Sequence, residues 1–116
     1  MGQTTFQSAQ LFFEKASLIE AAKRHLIPKN ISVLFRVLDE NTFTVRFRNG
    51  KIECEEMADE KADLKIEANR NTYVALFEGK ISPAEAFHQR TLLFDGIPYI
   101  GFPWLTRLIK IIQHGR

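Results

Sequence analysis

The residue types best suited to metal binding or acid–base catalysis are scarce in this chain. There are three histidines, His25, His88 and His114, and none has the spacing of a His-Glu-x-x-His or related zinc motif. Because the chain has a single cysteine, a cysteine-rich zinc site is also excluded. His25 and His114 lie near the expected C-terminal ends of helices, where a cationic side chain is mildly favourable. We predict structural roles for the histidines, and no metal or cofactor.

Cys54 is the candidate nucleophile. It alternates with Ile52 in a predicted strand, which points the thiol toward the interior as a small apolar side chain. A reactive thiolate needs a nearby base and positive surroundings, whereas the neighbours of this cysteine are Glu53, Glu55 and Glu56. The sequence therefore predicts no catalytic role for the thiol.

A group of acidic residues lies in the third predicted strand and in the segment that follows it: Glu53, Glu55, Glu56, Asp59 and Glu60. Paired carboxyl groups act as general acid and base only when one is desolvated and the other stays charged. These residues fall on a hairpin edge and in a turn, so we expect a solvated surface instead.

Three arginines on predicted strands are candidates for phosphate binding. Arg46 and Arg48 alternate with the apolar residues of their strand, so exposure to solvent accounts for both. Arg36 lies on the side opposite Phe35 and could pair across strands with Arg46 or with an acidic partner. A phosphate-binding role stays open, although the chain contains no glycine-rich phosphate loop.

The elements that position these residues begin with a long helix. From Thr4 or Thr5 to Leu26 the chain lacks Gly and Pro and carries a broad apolar stripe. Pro28 should end the helix, because the residue before a proline disfavours the helical conformation.

Four strands follow, each recognised by alternation of its side chains. They are predicted at 31–38, at 43–48, around Ile52 and Cys54, and at 62–68. Asn49-Gly50 joins the second strand to the third by a tight hairpin turn. Since the other connections are short as well, we expect four consecutive antiparallel strands, that is, a meander.

Helices return in the second half of the chain. Residues 71–78 form a predicted helix that Gly79 ends, and the capping box Ser82-Pro83-Ala84-Glu85 starts a short helix through about Gln89. A brief strand is expected at 91–94. The last predicted helix, 103–113, is apolar over about half of its circumference.

The opposite side of this last helix is basic. Arg107 and Lys110 lie on it, and the chain has no acidic residue after Asp95. Such a helix is typical of an anionic membrane surface or of a lid over an apolar cavity. A core helix with its basic residues turned to water has the same pattern, so the sequence leaves the three interpretations open.

Composition limits the class of protein. The chain has 116 residues, which fits one domain (1–116); 45% are hydrophobic, and ten are Phe, which suits a core or an apolar cavity. A net charge of +2 gives no support for nucleic-acid binding. No segment resembles a signal peptide or a membrane span, and no disulfide can form within the chain, so we expect a cytoplasmic protein.

Four segments occur in a distinctive order: Ala62-Asp63-Leu64-Lys65-Ile66, Tyr73-Val74-Ala75-Leu76-Phe77-Glu78-Gly79-Lys80, Ser82-Pro83-Ala84-Glu85-Ala86-Phe87 and Leu92-Leu93-Phe94-Asp95-Gly96. Together with the upstream helix and the hairpin at Asn49-Gly50-Lys51, this order resembles the sterol carrier protein type-2 family. The resemblance covers roughly residues 5–113.

The resemblance implies an α+β fold, in which an antiparallel sheet of about five strands is packed by helices and an apolar tunnel lies between the layers. It also implies non-catalytic binding or transfer of an apolar lipid of fatty acyl, phospholipid, sterol or isoprenoid quinone type. Some bacterial members resemble accessory factors of ubiquinone biosynthesis, so an enzyme partner or a homodimer stays open.

The predicted tunnel is lined by inward strand residues and by the helix residues facing them. These are Phe35, Phe43, Val45, Phe47, Leu64, Ile66, Phe77, Phe87, Leu105, Leu108 and Ile112. Trp104, Arg107 and Lys110 are the predicted contacts with a lipid headgroup or an anionic membrane, as in a cytoplasmic protein that is peripheral at the membrane.

Two alternatives come from other functional classes. A scaffold protein would fill the former tunnel with its own Phe side chains and bind a partner, for example in quinone or lipid metabolism, through the terminal helix. A small enzyme would use Cys54 or His88 on an acyl substrate.

Overall fold

A computed structural model gives the conformation of residues 4–26, 30–96 and 101–114. The helices are α1 (Thr5–Glu14), α2 (Glu20–Leu26), α3 (Arg70–Phe77), α4 (Pro83–His88) and α5 (Gly101–His114), with a turn of 3-10 helix at Lys15–Leu18. The strands are β1 (Ile31–Val37), β2 (Phe43–Arg48), β3 (Lys51–Glu55), β4 (Leu64–Ala68) and β5 (Leu92–Gly96). The predicted α+β fold with five strands is confirmed.

The strands form one sheet in the order β3-β2-β1-β4-β5. Asn49 and Gly50 have φ values of 53° and 77°, so the tight hairpin between β2 and β3 is confirmed. The meander is wrong at its fourth strand, because β4 runs parallel to β1 and not antiparallel to β3. Alternation tells which face of a sheet a side chain takes but not which strand lies beside it. The sheet is therefore mixed, and β3 is one of its edges.

The connection between β3 and β4 covers part of the outer face of the sheet. The Thr44 hydroxyl donates to the carbonyl of Met57 (2.8 Å) and accepts from the backbone N–H of Asp59 (3.1 Å). Thr44 and its cross-strand neighbour Leu34 are fully buried. Leu34 takes the face opposite Phe35 and is nevertheless buried, so it belongs to a second buried layer.

The single helix predicted up to Leu26 is interrupted. The Thr4 side chain caps α1, but the chain passes through the 3-10 turn and reaches Ile19 in an extended conformation (φ −117°) before α2 begins. This break allows Ala16 and Ala22 both to be buried in the core. Pro28, the predicted end of the helix, lies outside the described residues.

Helix α5 packs in the core of the protein, with its apolar face buried. Trp104 was predicted to contact a membrane or headgroup, and in this fold that prediction is wrong, because the side chain is 7% exposed. The Trp104 indole N–H donates to the carbonyl of His25 (3.3 Å), and its ring stacks on the imidazole at 5.1 Å. At the other end of α5, the Gln113 side-chain amide donates to the carbonyl of Leu76.

We predict that Thr44→Val destabilises the protein by about 1–3 kcal/mol, because it removes both hydrogen bonds between the buried Thr44 hydroxyl and the backbone of the β3–β4 connection. Urea unfolding followed by circular dichroism measures this free energy. Thr42→Val is the matched control, since the Thr42 hydroxyl makes no hydrogen bond within the described part of the chain. Equal destabilisation by the two substitutions would contradict the role given to Thr44.

Candidate functional site: a cleft beside the edge strand

A cleft of about 630 Å³ lies between the N-terminal helices and the β2–β3 hairpin. Its walls are formed by Gln10, Phe13, Glu14, Ser17, Lys23, Leu26, Gly50, Lys51, Ile52, Glu53 and Cys54. The cleft thus draws on α1, the 3-10 turn, α2 and β3. The interruption of the first helix brings the residues from both helices to one side of it.

The position of β3 at the sheet edge explains why the cleft exists. Ile52 and Cys54 lie opposite Phe47 and Val45 of β2. The two β2 residues are fully buried, whereas Ile52 and Cys54 are half-buried, because no further strand lies beside them. The inward side of β3 therefore forms an apolar wall of the cleft. Cys54 lies on this side, as its alternation with Ile52 predicted.

The cleft combines an apolar interior with a charged rim. Its apolar side chains are Phe13, Leu26, Ile52 and Cys54, and its charged residues are Glu14, Lys23, Lys51 and Glu53. Lys51 and Glu53 lie opposite Arg48 and Arg46 across the hairpin, so their side chains take the outer face of the sheet, and Glu14 and Lys23 carry the charges on the helical side of the cleft. Such a site is suited to an apolar chain that keeps a polar end near the rim.

Phe13 connects the cleft to the aromatic core. Its ring makes edge-to-face contacts with Phe12 (5.2 Å), Phe47 (5.5 Å), Phe35 (6.0 Å) and Phe77 (6.1 Å), measured between ring centroids. These are favourable aromatic geometries. Phe13, which is fully buried, therefore lies between the cleft and the packed rings of the core.

The Cys54 thiol is poorly suited to nucleophilic chemistry. Burial and, secondly, the nearby Glu14 carboxylate raise the pKa of this thiol to about 11. The neutral thiol therefore predominates at physiological pH, and it acts as part of the apolar wall.

The arginines and acidic residues considered for phosphate or acid–base chemistry pair with each other. Arg46 forms salt bridges with Glu55 and with Asp59, the latter at 3.0 Å, and Arg36 does so with Glu60 at 3.1 Å. The acidic partner predicted as one option for Arg36 is confirmed. The expected solvent exposure of Arg46 is wrong, because its side chain is 15% exposed.

The expected solvated surface is confirmed for Glu53, Glu55, Glu56 and Glu60, which are exposed, whereas Asp59 is half-buried. The backbone N–H of Lys61 and the Arg46 guanidinium lower the pKa of Asp59 below its ordinary value. The paired charges hold the β3–β4 connection to the outer face of the sheet and lie apart from the cleft.

The described residues form neither a metal-binding cluster nor a membrane-spanning helix. Within 4–26, 30–96 and 101–114, no group of three His, Cys, Asp or Glu side chains could hold a metal ion. No helix among those residues is long and apolar enough to cross a bilayer.

The family model of the SCP-2 sterol transfer family matches residues 14–97, which is most of the chain. The chain belongs to the SCP-2 sterol transfer family. No curated protein matches it significantly in sequence. The matched segment includes most of the cleft residues, but it begins after Phe13 and ends before α5.

Solved structures show the same fold at low sequence identity. A crystal structure of sterol carrier protein 2 is 20% identical, with a TM-score of 0.67, and the alignment covers 92% of this chain and 94% of that one. The sterol carrier protein 2 of Aedes aegypti, determined in complex with palmitate, is 16% identical, with a TM-score of 0.62 and coverage of 93% and 96%.

The same fold also occurs as a small part of a longer enzyme. The inverting sec-alkylsulfatase Pisa1 from Pseudomonas sp. is 18% identical, with a TM-score of 0.65, over 76% of this chain. This SCP-2 family chain spans only 14% of the length of that sulfatase.

The residues predicted to line a tunnel are brought together, but in the core and not in the cleft. Nine are buried between the sheet and the helices: Phe35, Phe43, Val45, Phe47, Leu64, Ile66, Leu105, Leu108 and Ile112. Phe77 is half-buried against the same core. Their role as ligand contacts stays a prediction, and none of them lines the cleft.

The expected inward orientation of Phe87 is wrong. Its side chain is 42% exposed, and its ring lies against Phe94 at 4.9 Å. Helix α4 is only one and a half turns long, and its buried residues are Pro83 and Ala86. Phe87 therefore lies at the margin of the core.

Sequence reasoning missed the cleft because it read β3 as a central strand of a meander. One signal was available: Lys51, Glu53 and Glu55 alternate along β3, and charged residues are common on edge strands. Recognition of an edge would have directed attention to Ile52 and Cys54.

We predict slow alkylation of Cys54 by iodoacetamide at neutral pH, roughly a hundredfold slower than for an exposed cysteine, because of its raised pKa. Glu14→Gln should increase the rate, since it removes a negative charge that raises this pKa. Mass spectrometry of the labelled protein gives the rates.

Glu20→Gln is the control for this experiment, because it makes the same charge change on an exposed residue of α2. A wild-type rate equal to that of an exposed thiol, or equal acceleration by the two variants, would contradict the assignment.

Proposed function

We propose that this chain is a non-catalytic carrier that binds a lipid with its apolar chain in the cleft beside β3. The observation that carries the proposal is the cleft itself: an apolar interior formed by Phe13, Leu26, Ile52 and Cys54 beneath a charged rim. Membership of the SCP-2 sterol transfer family supports the same class of ligand.

The size of the cleft is compatible with such a ligand. Its volume of about 630 Å³ lies within the range of roughly 300–1,000 Å³ found for small-molecule sites. Each CH₂ group removed from water contributes about 0.8 kcal/mol, so ten buried groups contribute about 8 kcal/mol before the cost of association. Association costs at least about 4 kcal/mol, so micromolar affinity, about 8 kcal/mol, requires about fifteen or more buried carbons.

Phe13 determines how deep the ligand can reach. In the described conformation its ring packs against Phe35 and Phe47 at the inner side of the cleft. We infer that rotation of this ring lets a longer tail enter the space between sheet and helices, where the buried residues of the predicted tunnel would then contact it. Palmitate is a suitable first probe, because the sterol carrier protein 2 of Aedes aegypti has been determined in complex with it.

The aromatic contacts favour a scaffold as the second candidate function. Phe35 and Phe43 stack at 5.0 Å, and Phe47 lies against Trp104 at 5.0 Å. These aromatic side chains therefore already pack against each other without a ligand. A scaffold would keep this packing permanently and would bind a protein partner without taking up lipid.

We predict that Ile52→Trp weakens palmitate binding roughly tenfold or more, because overfilling an apolar site costs about 1–3 kcal/mol. Calorimetric titration with palmitate measures the affinity, and native mass spectrometry gives the stoichiometry.

The matched control is Leu93→Trp, which adds the same bulk to the other edge strand, where Leu93 is exposed outside the cleft. It should bind palmitate as the wild type does. A wild-type protein that takes up no palmitate would favour the scaffold, and equal loss in both variants would show that the cleft is not the binding site.

A further inference from the structure

The helical wall of the cleft carries a row of oxygen-bearing side chains. Gln10, Glu14 and Ser17 follow one another along α1 and the 3-10 turn at spacings of four and three residues, and all three line the cleft. Residues at these spacings lie on one side of a helix. We call these three residues the acceptor row.

Each member of the acceptor row can accept a hydrogen bond from a ligand. The Ser17 hydroxyl donates its one proton to the backbone carbonyl of Glu14 (2.8 Å), so toward a ligand it acts as an acceptor. Gln10 offers an amide oxygen, and Glu14 offers two carboxylate oxygens. Within the described residues, neither of these two side chains makes a hydrogen bond or a salt bridge, so their oxygens are available to a ligand.

The charge of the acceptor row is negative. Glu14 is the last residue of α1, and the last turn of that helix has no basic side chain. Because the C-terminal end of a helix is itself partly negative, a carboxylate there is locally unfavourable and a nearby cation is favourable. A residue that breaks a local rule in this way is a candidate for a functional role.

The cations of the protein leave this carboxylate unpaired. Lys23 lines the cleft from α2 but forms no salt bridge with Glu14 in the described part of the chain. Of these two charges, only that of Glu14 affects the pKa of the Cys54 thiol, so the charge that acts on the apolar wall is negative. Arg107 and Lys110, the cations predicted to contact a headgroup, belong to α5 and do not line the cleft.

We propose that the lipid held in the cleft carries a protonated amine at its polar end, which the acceptor row binds. This proposal rests on lipid binding in the cleft and adds the chemistry of the polar end. An ammonium group has three N–H donors and a positive charge, so it matches three neighbouring acceptors of which one is charged. A carboxylate in the same place would be repelled by Glu14.

Three probes with the same sixteen-carbon chain test the polar end. Hexadecylamine is cationic at neutral pH, hexadecanol is neutral, and palmitate is anionic. In calorimetric titrations below the aggregation concentration of each probe, hexadecylamine should bind about tenfold more tightly than palmitate, as for the gain of one charge-assisted hydrogen bond. The difference should decrease at high salt, because Glu14 is exposed.

A long-chain amine and the amino head of a phospholipid share this chemistry. Lysophosphatidylethanolamine, in which a phosphate accompanies the amine, distinguishes the two sources. Binding as tight as that of hexadecylamine would identify a phospholipid, and weaker binding would identify a simple amine.

Substitutions assign the preference to the acceptor row. Glu14→Gln keeps the size of the side chain and removes its charge, so it should weaken hexadecylamine binding about tenfold and leave hexadecanol binding unchanged. Glu20→Gln is the matched control, because it makes the same charge change on an exposed residue of α2 that does not line the cleft. Lys23→Gln should not weaken hexadecylamine binding.

Palmitate binding equal to or tighter than that of hexadecylamine would overturn the amine. Equal weakening of hexadecylamine binding by Glu14→Gln and Glu20→Gln would do so as well. In both cases the carrier itself stands, since the chain still takes up an amphiphile. Failure of all three sixteen-carbon probes would instead overturn the proposed function, and the amine with it.

Discussion

The pairing of β4 with β1 determines the rest of this structure. Because β4 occupies that side of β1, β3 is left without a second neighbour, and its inward side becomes accessible from the N-terminal helices. The same pairing sends the β3–β4 connection across the outer face of the sheet, where the Thr44 hydroxyl and the ion pairs of Arg46 fix it. The cleft and the covered outer face therefore both result from the pairing of β4 with β1.

Local features of the fold could be predicted because a few residues specify them. Asn49-Gly50 accepts the positive φ values of the hairpin, and Ser82 with Glu85 forms the capping box of α4. The break at Ile19 and the parallel pairing of β4 with β1 could not be predicted, because both depend on packing between distant segments. Helical propensity is continuous across residues 15–19, and burial of Ala16 together with Ala22 overrides it.

The candidate site, too, could be predicted from the sequence only in part. Alternation correctly identified inward residues such as Phe35, Phe47 and Ile66, because a strand's period fixes the face of each side chain. It could not distinguish a filled core from a cavity, and it gave no weight to Phe13 on the first helix. The cleft exists because β3 is the edge of the sheet. Which strand forms the edge is decided when the sheet assembles, and within the sequence of β3 only the alternating charged residues indicate it.

The contacts between His25 and Trp104 join residues 79 positions apart. One wall of the cleft, α2, therefore acquires its final support only when the last helix of the chain is available. A nascent chain that ends before Gly101 would display part of its phenylalanine-rich core to water for much of its synthesis, and such surfaces promote aggregation and chaperone binding. Long-range closure of this kind also slows folding, because the entropy of a large loop is lost before its contacts form.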